Sequence, residues 1–147
     1  MFSMPPRPSK LSTRVRDFME VPPVMIPESS TVDEAASLMW EKNIGSLIVV
    51  DKFGDMVGIV TERDMLFAVT KGLTGNSVPI LSITSKTDVK ATPTQSVATA
   101  LETMRKAGVR HLPVVDKNGK PVGMLSMRDA LDIMGPLLKQ VLASVSK

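Results

Sequence analysis

Gly58-Ile59-Val60-Thr61-Glu62-Arg63-Asp64 returns 65 residues later as Gly123-Met124-Leu125-Ser126-Met127-Arg128-Asp129. Working outward at the same offset, residues 31–66 lie on residues 96–131 without a gap, and 14 of the 36 positions are identical. Val32 meets Val97, Ala35 meets Ala100, Met39 meets Met104, and Val49-Val50-Asp51 meets Val114-Val115-Asp116. One register kept over that length marks a tandem duplication, and a repeat constrains the fold before any local pattern does.

The 147 residues suit one ordinary domain or two small units that lean on each other. A unit of roughly 60 residues buries too little surface to be comfortable alone. With 43% hydrophobic and 22% charged residues, the balance is that of a globular protein. No apolar run reaches the ~18 residues of a membrane span. The absence of cysteine excludes disulfides and thiolate chemistry. The start, Met1-Phe2-Ser3-Met4-Pro5-Pro6-Arg7-Pro8, has no apolar signal core, so a cytoplasmic protein is the expectation. A net charge of +3 supports no more than a general liking for anions.

Along the chain, residues 1–12 form a basic, proline-rich arm. A helical turn around Val15, Phe18 and Met19 follows, capped by Ser12 or Thr13, and Pro22-Pro23 ends it. The first repeat spans 13–72. Val24-Met25-Ile26 reads as a short strand. Thr31 with Glu34 opens a helix as a capping box, with Ala35, Leu38, Met39 and Trp40 on its buried side. Residues 46–50 and 56–60 read as a hairpin, and Thr61 starts a second helix. Residues 73–78 are a linker, and 79–135 repeat the order with Ile80–Ile83 as the opening turn. Val89-Lys90-Ala91 is the short strand, Ser96 the cap, and Lys117-Asn118-Gly119-Lys120 the turn of the second hairpin. Gly135-Pro136 breaks the last helix and leaves a tail helix over 136–147. Strands apolar on both sides predict sheets covered on both faces. The fold class is therefore α+β, with two β-α-β-β-α repeats packed through their sheets around one shared core.

Thr61…Asp64 and Ser126…Asp129 have the spacing of capping boxes, and Thr31…Glu34 shows the same device with no ligand implied. The same geometry also suits a ligand. A helix start offers free N–H groups to an anion, and a short carboxylate there can accept from two vicinal hydroxyls. Gly58 and Gly123 allow close backbone approach just before it. Arg63 and Arg128 put cations where the helix dipole disfavours them, a local conflict of the kind found at functional sites. Spacing alone leaves cap and binding site both open.

The ordered set of these stretches, with Val15-Arg16-Asp17-Phe18-Met19 and Gly108-Val109-Arg110-His111-Leu112-Pro113-Val114-Val115-Asp116, resembles the cystathionine β-synthase (CBS) domain, over about residues 13–135. The resemblance implies a CBS pair, or Bateman module: a homodimer-forming regulatory module that binds AMP, ADP, ATP or S-adenosylmethionine in clefts between its repeats, AMP foremost. It places Thr61 and Asp64 in one cleft with Val89, Arg110 and His111, with Thr84 nearby, and Arg63 is counted with them for its charge at the helix start. Ser126, Arg128 and Asp129 then face Val24, Gly45, Ser46 and Met19. Arg110-His111 stands where the first repeat has Gly45-Ser46, so phosphates are expected in the Asp64 cleft.

His111 is the only histidine, so neither a zinc site nor a catalytic triad is expected. The eleven methionines read as pliable core and interface. No enzyme activity is expected, and any signal passes to a separate, unidentified regulated protein. A second reading is nucleic-acid binding through Arg7, Lys10, Arg14 and Arg16, against which stands an aromatic content of 3%. A third is a structural dimerisation module with vestigial clefts. The apolar residues Met65, Leu66, Val69, Ala130, Leu131, Met134, Leu137, Leu138, Val141 and Leu142 offer a dimer face.

Overall fold

The computed structural model describes residues 14–86 and 88–145; the arm over residues 1–12 and the caps assigned to Ser12 and Thr13 lie outside them. The first repeat supplies β1 (Met25–Pro27), α1 (Val32–Lys42), β2 (Ser46–Val50), β3 (Met56–Thr61) and α2 (Glu62–Thr70). The second supplies α3 (Val97–Ala107), β4 (His111–Val115), β5 (Pro121–Ser126) and α4 (Met127–Val145). A 3-10 turn opens each repeat, at Val15–Asp17 and Ile80–Ser82. The α+β class and the two packed sheets are those expected.

Local chemistry explains the element ends. Thr31 accepts from the Glu34 N–H while Glu34 accepts from the Thr31 N–H, a complete capping box. Ser96 caps α3 through the Ala98 N–H at 3.1 Å. Asn43 (φ 53°) and Gly108 (φ 69°) stop α1 and α3 in the left-handed conformation that turns a chain out of a helix. Val32, Ala35 and Met39 form the buried stripe of α1. Trp40, expected with them, is 86% exposed, because one residue past Met39 rotates it about 100° off the stripe.

The first sheet has the order β1-β2-β3, with β1 parallel and β3 antiparallel to β2. The second has β4 and β5 alone, so the strand expected at Val89-Lys90-Ala91 is absent. A single parallel bridge joins Ala91 to Val114. One residue accounts for the difference. Ile48 donates its N–H to the Val24 carbonyl at 3.1 Å. Its repeat counterpart is Pro113, which has no N–H to give.

The helix break expected at Gly135-Pro136 is also absent: α4 runs through Pro136 to Val145. A proline costs the helix about 3 kcal/mol. The good helix formers that follow, Leu137-Leu138-Lys139-Gln140, let it resume at once.

Tertiary packing crosses the repeats over. Val15, from the opening turn of the first repeat, is buried with Ala100, Met104, Leu112 and Leu125 of the second. Ile80 and Ile83, from the opening turn of the second repeat, are buried with Ile26, Ala35, Leu47 and Val60 of the first. The main chain follows suit. Val15 donates to Gln95 at 2.9 Å and Ile80 donates to Ser30 at 2.8 Å. The expectation of one shared core needs correction: each repeat has its own, completed by the other's lead-in turn. A small cluster of Ile48, Ile59 and Met124 joins the two sheets. At the hairpin tips, Lys120 Nζ binds Asp55 at 2.6 Å and donates to the Phe53 carbonyl at 2.9 Å.

Candidate functional site

β3 hands over directly to α2 at Thr61, whose backbone is extended (φ −120°, ψ 171°). Asp64 Oδ2 accepts from the Thr61 N–H at 2.8 Å and from its hydroxyl at 3.1 Å. Thr61 Oγ1 in turn accepts from the Asp64 N–H at 3.4 Å. The capping box is therefore formed. Both residues are half-buried, while Arg63 is exposed.

The second start is built differently. Ser126 Oγ accepts from the Asp129 N–H at 2.9 Å. The Asp129 carboxyl turns instead to Glu20, across the boundary between the repeats. Burial raises the pKa of Glu20 first, and the Asp129 charge and the hydrogen bond with it add to the rise; Arg128 opposes them. Glu20 was absent from the expected site. The only signal was its offset partner, Ser85, where a hydroxyl replaces a carboxyl.

Each cleft is roofed by the other repeat's lead-in segment. Ser85 pairs antiparallel with Ile59, and Glu20 with Met124. These crossings explain Gly58 and Gly123. A Cβ on Gly58 would strike the Ser85 carbonyl and lie 2.7 Å from Thr84 Cγ2. A Cβ on Gly123 would lie 2.7 Å from Met19 Sδ and 3.1 Å from the Glu20 carbonyl oxygen. The close approach anticipated from the sequence is made by the chain itself. It puts Thr84 over the strand leading to Thr61, and Met19 over the strand leading to Ser126.

Between the two clefts the remaining residues converge. Gly45 and His111, expected in different clefts, are neighbours: a Cβ on Gly45 would stand 3.3 Å from His111 Nε2. Glu62, also unanticipated, is on the same side, its Oε1 2.5 Å from that Cβ position. Ser46 is buried opposite Thr61, and His111 is half-buried opposite Ser126. Burial lowers the His111 pKa most, the Glu62 and Asp129 charges pull it up, and Arg110 lowers it. Arg110 is exposed. Val24 packs on the first core and Val89 on the second, both half-buried.

A depression of about 670 Å³ between β1 and α1 contains none of these residues. Its Asp33 accepts from the Gly75 N–H at 2.8 Å and its Glu34 from the Thr31 N–H at 3.0 Å, so both serve the fold. Among the described residues no cluster of His, Asp and Glu is arranged to hold a metal, and no helix is long and apolar enough to cross a membrane.

The crossed repeats, β-α-β-β-α in the first and α-β-β-α in the second, and their paired Thr/Ser-x-x-Asp helix starts correspond to a known family. The CBS domain model matches residues 15–71 and 80–135, and the chain belongs to that family. An uncharacterized 17.7 kDa protein of Acidianus ambivalens is 37% identical over 120 residues, 81% of this chain and 71% of that protein. The chain spans about half the length of another curated relative. Among solved structures, a CBS domain protein from Pyrobaculum aerophilum complexed with AMP superposes with a TM-score of 0.74 at 33% identity, covering 79% of this chain and 88% of that one. The CBS domain pair of protein MJ0100, in complex with 5′-methylthioadenosine and S-adenosyl-L-methionine, gives 0.77 at 28% identity, covering 84% and 96%.

Proposed function

We propose that this CBS pair is a regulatory module that binds an adenosyl ligand, AMP foremost, in the cleft at Asp64, and passes the signal to another protein. One observation carries the reading. The Thr61–Asp64 helix start lies beneath the other repeat's segment at Thr84–Ser85, so a ligand there would touch both repeats. The capping box engages Asp64 Oδ2 and leaves Oδ1 for ribose hydroxyls. Arg110 and His111 would meet the phosphate, where an arginine contact is charge-assisted. The AMP complex of the Pyrobaculum protein supports the ligand class.

The Asp129 cleft, with Glu20 added, suits a less anionic adenosyl ligand, in line with the S-adenosyl-L-methionine complex of the MJ0100 pair. A homodimer would cover Leu66 (69% exposed) and Val69 (68%) on α2 with Leu131 and Leu142 on α4. Light scattering tests that mass. The cytoplasm is the setting in which such ligands are met.

Calorimetric titration with AMP, ADP, ATP and S-adenosylmethionine, on wild type, Asp64→Ala and Asp129→Ala, tests the reading. Saturable AMP binding lost only in Asp64→Ala is the expected result. Equal losses from both variants sink the asymmetry, and no binding by folded wild type sinks the function.

A further inference from the structure

The boundary between the repeats carries a juxtaposition around Gly45 that the duplication does not repeat. Glu62 Oε1 and His111 Nε2 lie against the same face of Gly45, 2.5 Å and 3.3 Å from where its Cβ would be. The Glu62 N–H donates to the Gly45 carbonyl at 3.0 Å, which fixes the base of the glutamate side chain beside the glycine. At the equivalent places of the second repeat stand Arg110 and Met127, so neither the gap nor the carboxylate recurs. The charged groups around His111 are Glu62 from α2, Asp129 from α4 and Arg110 from the residue before it. Glu62 is exposed, so its carboxylate can swing out to water.

We propose that the Glu62 carboxylate holds the place beside His111 that a phosphate takes on binding, and so sets both the affinity and the anion selectivity of this cleft. The proposal rests on the phosphate-binding role read above for Arg110 and His111. Two anions cannot share one imidazole without repulsion, so an incoming phosphate must first displace Glu62. Gly45 is what permits the arrangement. It lies outside the left-handed backbone region, so an alanine there meets no backbone strain and collides with the movable end of Glu62.

The test uses the single histidine of the chain, whose imidazole gives one unambiguous set of ring resonances in NMR. Wild type, Glu62→Gln and Gly45→Ala are titrated with acid, then with inorganic pyrophosphate, AMP and adenosine. Without ligand, both variants are expected to lower the His111 pKa, because each takes a negative charge away from the imidazole. Glu62→Gln should bind pyrophosphate and AMP about threefold more tightly or better, with adenosine unchanged, whereas Gly45→Ala, whose methyl stands in the place the phosphate would take, should bind both more weakly. An unmoved His111 titration in Glu62→Gln overturns the proposal, as does pyrophosphate acting alike on all three proteins. If pyrophosphate follows the expected order and AMP binds none of them, the nucleotide reading fails and the role of Glu62 stands.

Discussion

Glu20 and Asp129 bring two carboxyl groups together across the repeat boundary, and Glu20 keeps its proton to a higher pH than an ordinary glutamate. The folded protein therefore binds a proton that the unfolded chain has released. That contribution to stability is complete below the ordinary value of 4.5 and is lost as pH rises through the raised value. Glu20→Gln removes the linkage. The difference in Tm between wild type and variant should decline as pH is raised above 4.5, read by circular dichroism. A constant difference would show that the two carboxyl groups do not interact.

His111 predicts the opposite slope. Its pKa is lowered, chiefly by burial, so its contribution to stability is complete above 6.5 and is lost as pH falls through the folded value. His111→Gln should flatten the fall in Tm just below pH 6.5, in the same measurement. If AMP contacts the imidazole, its affinity should rise over that window in wild type and not in the variant.

Gly58 and Gly123 occupy equivalent places but should tolerate alanine unequally. At Gly58 the obstacle is the Ser85 carbonyl, held in a two-way pair with Ile59 at 3.0 and 3.1 Å. At Gly123 the nearest atom is Met19 Sδ, the flexible part of a side chain. Gly58→Ala should cost roughly 1–3 kcal/mol, and Gly123→Ala clearly less. Urea denaturation curves measure both, and equal costs would contradict this account of the crossings.

The capping boxes can be separated from ligand binding in protein free of ligand. Thr61→Ala removes the hydroxyl that both accepts from and donates to Asp64, and should cost about 1 kcal/mol, or about 3 °C in Tm. Thr61→Ser should restore most of it. Ser126→Ala should cost no more than that, since Ser126 caps through the Asp129 N–H alone. An unchanged Tm in Thr61→Ala would leave ligand binding as the residue's whole role.

Much of the architecture was legible because it is local. Thr31 with Glu34, Asn43, Ser96 and Gly108 mark helix ends through bonds within a turn or two of themselves. The hairpins were legible for the same reason. Trp40 and Pro136 were misread because each was judged by its type alone. Trp40 sits one step off a stripe set by its neighbours, and Pro136 is followed by a segment able to resume the helix. The missing strand before α3 was written in Pro113, but its meaning depends on Val24 receiving the N–H that Ile48 has and Pro113 lacks.

The 65-residue offset and its internal rhythm determined by themselves the duplication, the helix-hairpin-helix order that both repeats share and the two helix starts that could hold a ligand. Tertiary structure alone decided which repeat each lead-in turn serves, that Glu20 meets Asp129, and that Gly45, Glu62 and His111 come together. The physical reason is range. Caps, turns and periodic stripes act between residues a few positions apart, whereas these meetings join residues far apart in the chain, and only the packing of the two sheets brings them within reach.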